Sequence, residues 1–325
     1  MQDLKVRKLL EKANKIALFG HVHPDGDCIW SMLGLWALLE KQGKKVSYFT
    51  PTLPSKIFDF LKATKKIKTT FDYGTYDVLV FVDFSDYKRI DQLTKWHEQY
   101  FDDHALCIID HHHGDEPKHA LCIKDAESMS TAELVFEYAY KRWPKLFDKQ
   151  IATSLYMWLT MDSWNFVYDI DHERVLGNAL RLVKLWADKW LVVSELIRKK
   201  SLNSVRFMEL FLHRMKQVGD LIYSYYTDED FETFDIDDEE AGYGLKIMQN
   251  VDGPRLSLVF KKVADTMRVS LRSKKTAWKL VDCNAVARKF GGGGHIPAAG
   301  FTVAAKGNFG SQVKKIVGEI EKMIM

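Results

Sequence analysis

Apolar runs at 16–20, 45–49, 78–82 and 105–109 alternate with segments near 28–42, 55–63 and 86–100 whose apolar residues recur at helical spacing. A strand followed by a helix, repeated along the chain, predicts a parallel sheet with helices on both faces. From about 130 to 215 the pattern turns helical. It includes STAELVFEYAYKR and a long charged run over 192–218, which reads as a solvated amphipathic helix connecting two domains. The acidic stretch DEDFETFDIDDEE over 228–240 reads as an exposed loop or helix edge. Beyond it, RLSLVF and TMRVSLRS read as adjacent strands joined by a short turn, and 308–324 as a terminal helix. The expected fold is therefore α/β. A parallel-sheet domain flanked by helices occupies 1–190, a helical linker 191–218, and a smaller α/β domain 219–325, with no internal repeat.

Polar residues stand where the apolar strands stop. HVHPDGD follows KIALFG, DHH closes ALCIID, and Asp83 ends VLVFVD. Such positions lie at the carboxyl edge of a parallel sheet, where α/β proteins bind ligands. In His21-x-x-x-Asp25-x-Asp27, Pro24 and Gly26 bend the chain so that several side chains can converge on one point. Asp162, at the end of SLYMWLTMD, adds a further carboxylate. One such run alone would be a surface turn or a helix cap. Several together at apolar segment ends need a cation between them, because buried carboxylates otherwise repel. Carboxylates mixed with imidazole suit two divalent cations, with Mn²⁺ the first choice.

The second half carries its own signal. Gly291 to Gly294 precede His295, and Pro297-Ala298-Ala299-Gly300 follows. A run of glycines leaves backbone N–H groups bare for an anion, and Arg272 could clamp a phosphate in two-pronged fashion. The bland readings are a flexible surface loop and a surface arginine.

Composition removes several classes. At 325 residues, with 46% hydrophobic residues, the chain can bury two cores. The net charge of +3 provides no continuous basic track for long nucleic acid, although a local phosphate groove remains open. Cys28, Cys107, Cys122 and Cys283 form no Cys-x-x-Cys pair, so they read as small buried hydrophobes of a reducing compartment. The charged start MQDLKVRKLLEKANK is not a signal peptide, and no apolar stretch is long enough to span a membrane. A cytoplasmic protein is expected.

Taken together, HVHPDGDCIWS, VDFSD, DHH, STAEL and the Asp162 region, followed by LRS and GGGGH-x-x-AAG, resemble the DHH phosphoesterase family. More narrowly they resemble its cytoplasmic branch of oligoribonucleases that also act on phosphoadenosine phosphate. The resemblance covers nearly the whole chain. It implies His21, Asp25 and Asp83 on one Mn²⁺ and Asp27, Asp83, His111 and Asp162 on the other, with Asp83 bridging. It also implies that Ser31 and His112 support the phosphate or the ligands, with His112 donating a proton to the leaving group. Ser130 and Thr131 would cap the following helix. Arg272, Gly292, Gly293, Gly294 and His295 would surround the terminal phosphate or base of a short nucleotide.

The implied activity is two-metal hydrolysis of short oligoribonucleotides and pApA-type dinucleotides to mononucleotides, with 3′-phosphate removal from 3′-phosphoadenosine 5′-phosphate. Partners are then short RNA or small nucleotides and no membrane, with monomer or homodimer left open. A family II-type pyrophosphatase is an alternative, which the glycine loop argues against. A RecJ-like exonuclease lacks room for an added OB-fold. A catalytically impaired nucleotide-binding module is a third reading, because Trp30, Trp158 and Trp164 stand where the family carries glycine. That departure predicts that some or all of the nine tryptophans are UGA codons read as glycine, Trp186 and Trp190 among them.

Overall fold

The computed structural model describes residues 2–84, 87–112, 117, 119–163, 166, 172–274 and 280–325, without the side chains of Tyr87, Lys88 and Asp162. The chain forms two compact units, Met1–Lys199 and Lys200–Met325.

The first unit contains strands β1 (Lys15–Phe19), β2 (Lys45–Phe49), β3 (Val78–Val82), β4 (Leu106–Asp110) and β5 (Leu121–Lys124). Its helices are α1 (Gln2–Lys12), α2 (Gly26–Lys41), α3 (Asp91–Thr94), α4 (Glu98–Asp102), α5 (Thr131–Arg142), α6 (Lys149–Asp162), α7 (His172–Lys184) and α8 (Lys189–Val192). The strands form a five-stranded sheet in the order β2-β1-β3-β4-β5, parallel throughout. The strand order reverses between β1 and β3, and a crevice opens at the carboxyl end of such a switch point.

Alternation along the strands divides the core. Ile16, Leu18, Val78, Val80, Val82, Cys107 and Ile109 face a cluster built with α1, α2, α5, α6 and α7. Ala17, Phe19, Leu79, Phe81, Leu106 and Ile108 face the other way. That second face differs from expectation. The segment at 55–63 forms only 3₁₀ turns, Lys56–Phe58 and the start of Lys62–Lys66, and 86–100 is broken into short pieces. Aromatic rings close the face instead: Phe71 lies 4.9 Å from both Phe19 and Phe49, and Phe81 lies 4.9 Å from Phe19.

Between 192 and 218 the chain passes through a π-helical turn at Val193–Arg198, helix α9 (Leu202–His213) and strand β6 (Lys216–Val218). The second unit continues with β7 (Leu221–Thr227), α10 (Asp228–Phe234), α11 (Asp238–Gln249), β8 (Leu256–Val263), β9 (Thr266–Ser273), α12 (Cys283–Arg288), β10 (Gly293–Gly294), β11 (Ala298–Ala304) and α13 (Phe309–Ile324). Its sheet runs β10-β11-β9-β8-β7-β6, antiparallel except for the β7–β8 pair. Helices α12 and α13 cover one face, α9 and α11 the other. Of the two readings of the acidic stretch at 228–240, the helical one holds, with α10 and α11 separated by a short turn at 235–237. Thr227 and Asp230 form a capping box, Asp237 caps α11, and most of the acids sit in first turns, where the helix dipole favours them.

Candidate metal centre

The loop after β1 turns sharply. His23 adopts a left-handed backbone with φ 50°, and its N–H donates to Thr52 Oγ1 at 2.7 Å. Gly20 is required by close approach, since a Cβ there would meet Cys28 Sγ at 2.4 Å. Asp25 then caps α2 by accepting from Cys28 N–H, and Asp27 falls in the first turn. His21 is buried, with Nδ1 donating to Val22 O at 2.8 Å. That bond leaves Nε2 directed at carboxylates.

Asp83, immediately after β3, is buried and also left-handed, with φ 54°. Its two oxygens face different partners. Oδ2 lies 3.0 Å from His21 Nε2, which is itself 3.7 Å from Asp25 Oδ1. Oδ1 lies 3.8 Å from His111 Nε2, 3.4 Å from His112 Nδ1 and 3.2 Å from Thr131 Oγ1. His111 Nε2 is 3.7 Å from Asp27 Oδ2, and its Nδ1 donates to Ser128 O at 3.2 Å. Two groups thus meet on one carboxylate: His21 with Asp25, and His111 with Asp27.

Helix α5 holds the second group from behind. Ser130 caps it, accepting from Glu133 N–H, and the N–H groups of Thr131 and Ala132 donate to the two oxygens of Asp27, each at 2.8 Å. Asp110, in the last position of β4, accepts from His112 Nδ1 at 2.8 Å and fixes that ring.

Electrostatics follow from burial and these contacts. Burial pulls the His21 pKa down, but hydrogen bonds to Asp25 and Asp83 outweigh it and raise the value to about 9. Burial pushes Asp83 up, yet His21, His112 and His111 bring it down to about 2. Desolvation lowers His112 less than its Asp110 partner raises it, so its pKa lies above the ordinary histidine range. A proton on His21 thus stands in for positive charge that the carboxylates require. Burial holds the Cys28 thiol protonated, which removes it from the donor set although it lies beside His21 and Asp83.

The donor set fits divalent metals. Ligands about 2.1 Å from a six-coordinate ion stand about 3 Å apart, and the separations of 3.0 to 3.8 Å approach that spacing. Two imidazoles and three carboxylates, each histidine with its Nδ1 on a backbone carbonyl, are donors of the expected kind and orientation.

The DHH family, N-terminal domain, matches residues 15–157. This segment is a DHH domain. Similarity to curated relatives extends further: the chain is 24% identical over 319 residues to the bifunctional oligoribonuclease and PAP phosphatase NrnA of Mycoplasma genitalium, covering 97% of this chain and 96% of the relative. It is 25% identical over 293 residues to the protein of the same name from Bacillus subtilis, covering 89% of each. Among solved structures, an exopolyphosphatase-related protein from Bacteroides fragilis superposes with a TM-score of 0.87 at 26% identity, over 99% of this chain and 96% of that one. The pyrophosphatase alternative is not favoured.

Within the DHH domain the structure brings together His21, Asp25, Asp27, Asp83, His111 and His112. The side chain of Asp162 lies outside the described residues, as does Trp164. Ser31, expected to support the phosphate or the ligands, lies beside Asp27. It is fully buried, and its hydroxyl lies 3.4 Å from Asp27 Oδ1.

In the second unit, register pairs Arg272 on β9 with Ala298 on β11, beside the glycine hairpin. Part of the bare-amide cradle expected there is already engaged. Gly291, Gly292 and His295 already donate their N–H groups to Arg288, Ala287 and Ala298. The glycines serve close backbone approach, since a Cβ at Gly292 would meet Gly300 O at 2.2 Å and one at Gly294 would meet Ala298 O at 2.6 Å. Gly293 is open, with nothing nearer to such a Cβ than Asn284 Oδ1 at 3.8 Å, and His295 is exposed. This hairpin offers a flat glycine surface more than an amide nest.

Two contacts at the candidate centre escaped sequence reasoning. Asp110 was read with the DHH run as a candidate ligand, whereas it accepts from His112 Nδ1 and orients that ring. Glu133, buried in the first turn of α5, had only the helix-start spacing of Ser130-x-x-Glu133 as a signal.

Proposed function

We propose that the protein is a two-metal phosphoesterase that hydrolyses short oligoribonucleotides and pApA-type dinucleotides to mononucleotides and removes the 3′-phosphate from 3′-phosphoadenosine 5′-phosphate. The observation that carries this reading is the division of the Asp83 carboxylate between His21–Asp25 and His111–Asp27 at the sheet's switch point. His21, Asp25 and Asp83 would hold one ion; Asp27, Asp83, His111 and Asp162 would hold the other. Mn²⁺ suits these nitrogen and oxygen donors, with the only nearby thiol kept protonated. When bound, such a pair of ions lowers the pKa of an attacking water and neutralises the phosphoryl oxygens.

The chain's own residues do the rest. The N–H groups at the start of α5 fix Asp27, and the Thr131 hydroxyl holds Asp83, before substrate arrives. His112, with Nδ1 engaged by Asp110, holds a proton at Nε2 for the leaving oxygen. Arg272, the hairpin glycines Gly292, Gly293 and Gly294, and His295 bind the phosphate or base of the nucleotide. The four cysteines are free thiols, in keeping with a cytoplasmic enzyme. Among the described residues no helix is long and apolar enough to cross a membrane.

Turnover of pApA, 3′-phosphoadenosine 5′-phosphate, a pentanucleotide RNA and pyrophosphate with Mn²⁺ tests the reading. Release of mononucleotide from the nucleic acid substrates is expected. Hydrolysis of pyrophosphate alone, or nucleotide binding without turnover, would overturn it.

A further inference from the structure

Glu133 is fully buried, and each hydrogen-bond partner of its carboxylate among the described residues is a donor. Oε2 lies 2.8 Å from Ser128 Oγ and accepts from Met129 N–H at 3.1 Å. Oε1 accepts from Asn178 Nδ2 at 2.9 Å, with Arg174 Nε 3.5 Å away. The residue it grips, Ser128, supplies the carbonyl that receives His111 Nδ1. A chain of contacts therefore runs from α7 through Glu133 to the loop that sets the His111 ring. We propose that Glu133 is a positioning residue, which aims His111 Nε2 at the metal centre by fixing the Ser128 carbonyl. This inference rests on the metal-centre reading above.

Glu133→Gln keeps the shape but turns an NH₂ group toward donors on one arm. Calorimetric titration of chelator-stripped protein with Mn²⁺ reads the outcome directly. The affinity of one ion should fall about 10- to 100-fold, the range for partners behind a metal-ligating histidine. Substrate KM at saturating Mn²⁺ should stay at the wild-type value. Ser128→Ala, which removes one of the two bonds to the loop, should shift the isotherm in the same direction and covers the case in which Glu133→Gln does not fold. His111→Ala should lose one ion. If His111→Ala loses it while the isotherms of both other variants match wild type, Glu133 is only a stability element and the proposal fails. If His111→Ala binds both ions normally, the metal assignment itself fails.

A separate observation concerns the backbone at two tryptophans. Lys95 at φ −54°, ψ 131° and Trp96 at φ 71°, closed by His97 N–H to Thr94 O at 2.9 Å, make a type II turn with Trp96 at the position that favours glycine. Trp186, at φ 68°, ends α7: its N–H donates to Val183 O and that of Ala187 to Leu182 O, a Schellman motif with tryptophan at the glycine site. Both indoles are about four-fifths exposed, so neither is held there by packing. We infer that the polypeptide made in its source cell carries glycine at positions 96 and 186, through UGA codons read as glycine. The same exchange at Trp30 and Trp158 removes two buried indole N–H groups that have no acceptor among the described residues.

Tandem mass spectrometry of peptides from the source-cell protein should find glycine at both positions; tryptophan at either overturns the inference. In recombinant protein, Trp96→Gly and Trp186→Gly should each raise Tm by roughly 2 °C. A fall in Tm in either variant would count against it.

Discussion

Asp27 Oδ2 accepts a 2.8 Å hydrogen bond from the backbone N–H of Thr131, a residue 104 positions further along the chain. Ala132 N–H holds the other oxygen at the same distance. A carboxylate proposed as a metal ligand therefore also closes the N-terminus of α5, where two donors would otherwise be buried unpaired. Asp27→Ala should destabilise the metal-free protein by about 2–6 kcal/mol, at about 1–3 kcal/mol for each of the two unsatisfied donors. Urea unfolding in chelator measures this. An unchanged midpoint would mean that the contact carries no stability.

Asp83 is the shared member of both groups, and its left-handed backbone holds strain at the point where they meet. Asp83→Ala should abolish binding of both ions and all turnover. Metal analysis of the purified variant decides the matter: one tightly retained ion would refute the bridging role.

His112 should govern the alkaline limb of the pH profile. Desolvation works against its charged form, but Asp110 and Asp83 more than offset this, so the proton is retained above the ordinary histidine range. Activity that needs this proton should persist there and fall as pH rises through the raised value. Asp110→Asn should move the limb toward lower pH, and His112→Asn should remove it while lowering kcat about 10²- to 10⁴-fold. A limb that stays in place in both variants assigns the proton donor elsewhere.

Asp230 links pH to stability within the second unit. Its burial raises the pKa, but the Arg214 guanidinium, with an oxygen contact at 2.6 Å, brings it below the usual carboxylate value. The folded value thus lies beneath the unfolded one. Stabilisation is complete above the ordinary carboxylate range and is lost as pH falls through the folded value. Asp230→Asn should cost about 1–2 kcal/mol at neutral pH, with the pair's partial exposure discounting the charge contribution. The difference between the two proteins should shrink in acid. Urea midpoints measured across pH test this, and a gap independent of pH would contradict it.

Arg272 stands beside the glycine hairpin, opposite Ala298. Arg272→Ala should raise KM for dinucleotide about tenfold with little change in kcat, as expected for loss of uniform binding. Steady-state kinetics with unaltered KM would remove the clamp role.

What the sequence made legible is local. Strands β1, β3 and β4 could be read because their apolar runs stop abruptly at His21, Asp83 and the DHH run, and the sheet edge does the rest. Strand β5 could not, since its four residues are all half-buried and show no alternation. The segment at 55–63 has helical spacing but only Phe58 at its centre is buried, too little packing to carry a nucleus past one 3₁₀ turn. At 86–100 the type II turn at Lys95–Trp96 interrupts the helix, and tryptophan conceals the turn that glycine would have announced. Acids at 228–240 suggested solvent, whereas caps and dipole place them at helix starts. The Gly291–Gly294 run announced a special backbone without saying whether an anion or a neighbouring strand required it. Glu133 depends on α7, and no pattern within STAEL reveals a partner 45 positions away.

The phenylalanine-lined side of the first sheet has a consequence for how such a molecule can diverge. Rings and short turns, not long helices, seal that side, so segments there can lengthen or shorten while β1 and β3 keep their register. The opposite side has no such freedom. Helices α2 and α5 begin at the carboxylates themselves, and a single inserted residue there would swing Asp27 off its amides. New specificity is thus most readily acquired from the aromatic flank, leaving the chemistry untouched.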